Sequence, residues 1–138
     1  MTVGITLRST SGGTTYSFSG NTDASGNITV GVGSLPNDTY NIRSKGPKSL
    51  ATCSTVVLTG GLVTNKDMGT QPAGDANDSN NTNTTDFTIL KNSFGKSIGQ
   101  AGYDARADFN NNDVVNTTDF TLLKGTFGQG GCGVLLTP

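Results

Sequence analysis

The chain has 138 residues, enough for one ordinary domain or two small ones, and only 32% of them are apolar. A net charge of −1 offers nothing to nucleic acid or an anionic membrane. With no His and no Trp, Ser-His-Asp and Cys-His catalysis are excluded, and a zinc site or a flat aromatic sugar platform is disfavoured. No run reaches the ~20 apolar residues of a membrane-spanning helix, and no charged-then-apolar leader follows Met1.

Residues 2–8, 15–19, 27–32, 39–44, 54–59 and 62–66 form short runs, most of them rich in Val, Ile, Thr and Tyr. Turn residues separate them at Ser11-Gly12-Gly13, Asp23-Ala24-Ser25-Gly26, Leu35-Pro36-Asn37-Asp38 and Gly60-Gly61. Ile28, Val30 and Val32 alternate with Thr29 and Gly31, as a half-buried strand would. This predicts a small antiparallel β-sandwich over residues 1–70. Thr22-Asp23-Ala24-Ser25-Gly26-Asn27-Ile28-Thr29-Val30, followed by Leu35-Pro36-Asn37-Asp38-Thr39-Tyr40, resembles the carboxypeptidase-regulatory-like (prealbumin-like) sandwich. Asp38 stands where that pattern usually has Gly. The resemblance implies a spacer or adhesive module. The Lys–Asn isopeptide bond of some relatives is not carried over, because the chain has no Glu and no Lys in its first run.

Residues 68–73 make a join too short for a free linker. Beyond it the composition changes. Every acidic residue of the chain is Asp, and seven of the ten lie between Asp75 and Asp119. Asn83-Thr84-Thr85-Asp86-Phe87-Thr88-Ile89-Leu90-Lys91 returns as Asn116-Thr117-Thr118-Asp119-Phe120-Thr121-Leu122-Leu123-Lys124, an offset of 33 residues. A duplicated supersecondary unit implies a pseudo-two-fold pair that buries a shared face.

Each copy opens with a twelve-residue loop, 75–86 and 108–119. Side-chain oxygens fall at loop positions one, three, five, nine and twelve: Asp75, Asn77, Ser79, Asn83 and Asp86, then Asp108, Asn110, Asn112, Asn116 and Asp119. Position seven, Asn81 or Val114, is placed to offer a backbone carbonyl. This is the EF-hand ligand spacing, and it suits calcium, which accepts irregular shells of hard oxygens. Position six, usually Gly, is Asn80 or Asp113, and these residue types best tolerate positive φ. Two ionised candidate ligands per loop put the expected affinity near 10⁻⁴ to 10⁻³ M, by order of magnitude. Ser79 is a weak ligand, and Thr82 stands where the second loop has Val115, so the second loop is expected to be the better site.

A helix is predicted after each loop, with Phe87, Leu90 and Phe94, and Phe120, Leu123 and Phe127, as its core stripe and Gly95 and Gly128 as its stop. Half an EF-hand, repeated, resembles the type I dockerin closely. Gly74-Asp75-Ala76-Asn77, the paired Asn-x-x-Asp and Leu-Lys signatures, and Gly102-Tyr103-Asp104-Ala105-Arg106-Ala107-Asp108 carry the resemblance. It implies an all-α fold over residues 74–130 that holds two calcium ions. It also implies a secreted or surface-attached protein that docks onto a cohesin. Contacts map onto Thr84, Thr85, Leu90 and Lys91 and onto Thr117, Thr118, Leu123 and Lys124, so two copies imply two binding orientations. Capping of the helices by Thr84 and Thr117 is the plainer role for those hydroxyls.

Cys53 and Cys132 leave three arrangements open: a bridge within the chain, a link between subunits, or free thiols. The tail, residues 131–138, carries a short apolar run, Val134-Leu135-Leu136, expected as a strand. The alternative to docking is a structural subunit that self-associates into an extracellular fibre or layer. Nothing in the sequence assembles a nucleophile with a base, so no enzyme is expected.

Overall fold

The computed structural model describes residues 1–133, and Val134-Leu135-Leu136 lie outside them. In chain order it holds β1 (Thr2–Ser9), β2 (Thr15–Asn21), β3 (Asp38–Lys45), β4 (Lys48–Ser49), β5 (Thr52–Leu58), β6 (Ala73–Asp75), α1 (Thr84–Ser93), a 3₁₀ turn (Ala105–Ala107) and α2 (Thr117–Thr126). These fall into two compact units. One comprises Met1–Gly46, Ala51–Thr70 and Cys132; the other comprises Pro47–Leu50 and Gln71–Gly131. Pro47–Leu50, read from the sequence as part of the first module, therefore lies in the second unit.

The first unit is an antiparallel sheet in the order β2-β1-β3-β5. Period-two alternation explains its core. Val3, Ile5 and Leu7 of β1, Tyr40 and Ile42 of β3 and Val56 of β5 point to one face and are buried. The Tyr40 hydroxyl, on a side chain with no exposed surface, donates to the Pro36 carbonyl at 2.8 Å. Asp38 has a use that Gly could not serve. Its carboxylate accepts from the Ser9 and Ser11 hydroxyls, each at 2.5 Å, and ties the β1–β2 turn to the start of β3. The Ser11 and Ser9 hydrogen bonds hold that carboxyl below its usual range.

Two predicted strands, 27–32 and 62–66, join no ladder among the described residues. Ile28, Val30 and Val32 still alternate inward and pack against the core. Their pattern sets which side chains are buried, but a ladder also needs a neighbouring backbone, and β2 and β5 form the edges. Leu62 and Val63 are 70% and 87% exposed, without a face to cover. The second sheet of the expected sandwich is thus not formed among the described residues; extended chain covers the first sheet instead.

Cys53 and Cys132 are bonded to each other, which resolves the three arrangements in favour of the bridge within the chain. Both belong to the first unit, so the bond ties Cys132 to β5, and the covalent loop it closes includes Gln71–Gly131. Beside it, the Cys132 amide donates to the Ala51 carbonyl at 3.2 Å, and Arg43 Nε donates to the Cys132 carbonyl at 3.2 Å.

The second unit packs α1 and α2 with the short β4–β6 ladder around Ala76, Leu90, Ala107, Phe109, Val115 and Leu123. The predicted stripe is corrected here. Phe87 and Phe120 are each 38% exposed, and Phe94 and Phe127 are 46% and 48% exposed. The helices bury Asp86, Leu90 and Ser93, and Asp119, Leu123 and Thr126. That face is i, i+4, i+7, set by an aspartate that must turn inward to its loop. The phenylalanines, one residue further on, are rotated about 100° away from it. Among the described residues no helix is long and apolar enough to cross a membrane.

Candidate metal centre

Each loop folds inward around its first and last aspartates. In the first, Asp75 accepts from the amides of Ser79 at 2.8 Å and Asn80 at 2.6 Å, and Asn77 Oδ1 accepts from Ser79 N at 3.2 Å. Asp86 Oδ1 accepts from Asn77 N at 3.1 Å, which brings positions three and twelve together. In the second, Asp108 accepts from the amides of Asn112 at 3.1 Å and Asp113 at 2.8 Å. Asp119 Oδ1 accepts from Phe109 N at 2.8 Å and Asn110 N at 3.4 Å. Asn80 and Asp113 have φ of 66° each, the left-handed turn expected at position six. Asp78 and Asn111 at position four share it, with φ of 61° and 56°. The sequence reading missed this second turn, although the same tolerance of Asn and Asp for positive φ was there to find it.

The terminal aspartates do two jobs. Asp86 Oδ2 accepts from Asn83 N at 2.9 Å and Asp119 Oδ2 from Asn116 N at 2.9 Å, completing capping boxes at the starts of α1 and α2. The cap residues are Asn83 and Asn116, whose Oδ1 atoms accept from Thr85 N and Thr118 N at 2.9 Å. This moves the capping role off Thr84 and Thr117, and it commits the position-nine oxygens to the helices. Ser79 Oγ turns to the Asn81 carbonyl at 3.2 Å.

Asp75, Asp86 and Asp119 have no exposed surface, and Asp108 has 2%. Burying paired carboxylates is costly unless positive charge compensates them. Among the described residues no point gathers three or more of His, Cys, Asp and Glu, so neutral amide, hydroxyl and carbonyl oxygens must complete any shell. A compact set of hard oxygens with two anions fits calcium and does not fit zinc or copper.

The two copies interlock. Gly95 N donates to Val115 O at 2.8 Å, Val115 N to Lys96 O at 2.9 Å and Ile98 N to Asp113 O at 2.8 Å. The offset of 33 maps these onto Gly128 N to Thr82 O at 2.8 Å, Thr82 N to Gln129 O at 2.9 Å and Gly131 N to Asn80 O at 2.9 Å. Each loop is therefore braced by the chain that follows the other copy's helix. Phe87 and Phe120 meet edge to face at 6.2 Å between the helices.

The copies differ in three places. Tyr103 donates to Asp108 at 2.9 Å, and lost hydration together with that bond pushes the phenol up to about 12. The first loop has Thr70 at the position 33 residues earlier, and the hydroxyl that donates to Asp75 is that of Ser79, at 3.4 Å. Lys48 reaches the second loop from 60 residues earlier, a link with no local sequence signal. Val115 is fully buried, whereas the equally buried Thr82 leaves its hydroxyl without a partner. Gly74, at φ +137°, faces that hydroxyl, and a Cβ there would lie 3.0 Å from Thr82 Oγ1 and 2.2 Å from Thr126 Oγ1. Thr82→Val replaces the hydroxyl with a methyl of similar size. It should stabilise the second unit by about 1 kcal/mol and raise its Tm by roughly 4 °C. Calorimetry would check this, and a lower Tm would mean that the hydroxyl has a partner after all.

Thr84, Thr85, Lys91, Thr117, Thr118 and Lys124 are exposed on the helices. Leu90 and Leu123 are 2% and 1% exposed, so both are corrected from partner contacts to core.

Residues 73–127 match the family model of the dockerin type I domain, which supports a type I dockerin over the paired loop–helix repeat. In fold the chain is similar to two crystal structures of type II Cohesin-X-Dockerin complexes from Acetivibrio cellulolyticus. One, a C-terminal interface mutant, is 20% identical with a TM-score of 0.61, over 94% of this chain and 83% of that one. The other, an N-terminal interface mutant, is 21% identical with a TM-score of 0.62 over the same shares, 94% and 83%. A type II cohesin–dockerin domain structure from Bacteroides cellolosolvens is 37% identical over 44% of this chain and 90% of that one, with a TM-score of 0.37. A search of curated proteins finds no match.

Proposed function

We propose that this chain is a calcium-dependent docking module that binds a cohesin and so attaches a secreted protein to a scaffold or cell surface. One observation carries the reading. A buried aspartate closes each oxygen-lined loop and also starts a helix whose first two residues are exposed threonines. Filling the loop and presenting the helix are thus one structural event, repeated twice. The dockerin match over the same residues supports it.

The first ion is held by Asp75, Asn77, Ser79, the Asn81 carbonyl and Asp86. The second is held by Asp108, Asn110, Asn112, the Val114 carbonyl and Asp119. Asn83 and Asn116 contribute through water, since their side chains cap the helices. Bound calcium supplies positive charge at the buried aspartates; its role is structural. Asp119 accepts three backbone amides where Asp86 accepts two, which favours the second loop as the tighter site. Thr84, Thr85 and Lys91 on α1, and Thr117, Thr118 and Lys124 on α2, form equivalent contact surfaces. The Phe87–Phe120 pair lies between the helices as an apolar centre. Symmetry of this kind lets one partner dock in two orientations related by about 180°.

Self-assembly is the second reading, favoured by the exposure of Val57, Leu62 and Val63 on the sheet unit. Size-exclusion chromatography with and without EDTA, alone and with type I and type II cohesins, separates the two. A calcium-dependent 1:1 complex is the expected result; calcium-dependent growth without a partner would favour assembly. With calcium at about 100 times its Kd, each site adds roughly 2.7 kcal/mol of stability. A melting temperature indifferent to EDTA would sink the metal claim.

A further inference from the structure

We infer that Lys48, outside the dockerin match, is a positioning residue for the second calcium loop; the inference rests on the calcium reading above. Lys48 sits in β4, and its backbone pairs with Asp75, the first ligand position of the first loop. Its ammonium reaches the second loop. Nζ donates to the Asp108 carbonyl at 2.8 Å, to Asn111 Oδ1 at 2.5 Å and to the Ala105 carbonyl at 3.3 Å. Three acceptors match the three donors of an ammonium. One residue thus touches position one of both loops.

The chemistry of these partners decides the direction of the effect. None is a carboxylate or a proposed ligand oxygen, so the ammonium does not compete for the oxygens that calcium needs. It instead fixes the main chain at position one and the side chain at position four. Asn111 lies between ligands Asn110 and Asn112 and holds φ at 56°. An ordered loop meets the ion with less conformational entropy to lose. The opposing effect is repulsion between the ammonium and the cation, which water and salt screen. Lys48 itself holds φ at 62°, a conformation that L side chains rarely adopt, and the lysine persists there with its ammonium bound.

Terbium provides a reporter for the second loop in the full chain. Tyr103 donates to Asp108, so light absorbed by this phenol should sensitise an ion held there. Displacement of terbium by calcium then reads the second loop's affinity. Lys48→Met removes the ammonium, and Lys48→Gly also relieves the positive φ. Both should weaken calcium binding about tenfold, with circular dichroism unchanged at saturating calcium. Asn111→Gly, which removes the acceptor while suiting φ at 56°, should weaken it about threefold and keeps the test open if β4 variants fail to fold. Unchanged or tighter binding in Lys48→Met or Asn111→Gly would overturn the inference. So would recovery in Lys48→Gly alone, which would assign the effect to backbone strain. Absence of calcium-displaceable emission in the unmodified chain would overturn the calcium reading, and this inference with it.

Discussion

Asp119→Asn is expected to lower calcium affinity at the second loop by roughly two orders of magnitude. It should also destabilise the second unit by about 2–3 kcal/mol in EDTA, where no metal contributes. Two separate losses combine. The loop has two buried carboxylates, and the change removes the charge of one. The carboxylate also accepts three backbone amides, those of Phe109, Asn110 and Asn116. An amide side chain has one oxygen for these three donors, and it turns an NH₂ group toward the rest. Charge-assisted bonds to buried groups are the ones whose loss is felt. Asp86→Asn in the first loop removes an acceptor of two amides, Asn77 and Asn83, and should cost less in EDTA. Thermal unfolding and calorimetric calcium titration of both variants test the ordering. Equal costs, or a larger cost in the first loop, would refute the asymmetry between the copies.

The second large effect concerns the sheet unit. The Cys53–Cys132 bond spans 79 residues of chain. A cross-link of that span removes loop-closure entropy from the unfolded chain worth about 4 kcal/mol. The double variant Cys53→Ser/Cys132→Ser should therefore lose roughly 3–4 kcal/mol in denaturant titration, with a larger m-value because the uncrosslinked unfolded chain is more expanded. The unmodified chain in strong reductant should coincide with it. Neither cysteine belongs to the proposed metal loops, so calcium affinity should survive the change. A loss below about 1 kcal/mol would show that the folded chain does not depend on the bond.

Much of the proposed site was legible because it is local. Ligand spacing at positions one, three, five and twelve is written in consecutive residues. So is the positive φ at Asn80 and Asp113, since Asn and Asp are the non-glycine residues that adopt it at least cost. The Asn-x-x-Asp signature was legible as a ligand pattern, but its second use was not. Asn83 and Asn116 proved to be helix caps, and the threonines beside them the first helical residues.

Apart from these local caps and the turns at Asp78 and Asn111, the illegible features have a partner elsewhere in the chain. The sequence by itself determined the duplicated loops, the helices after them and the alternation of Val3, Ile5 and Leu7 in β1, because spacing along one element sets which side chains share a face. It did not determine what covers a face. Only the tertiary structure decided that Asp86 and Asp119 turn inward and leave the phenylalanines exposed, and that Ile28, Val30 and Val32 pack without a ladder. It alone joined Cys53 to Cys132 and set Lys48 against the second loop. Each of these is a choice of partner beyond the residue's own element, made by packing and hydrogen-bond satisfaction, and local preference carries no record of it.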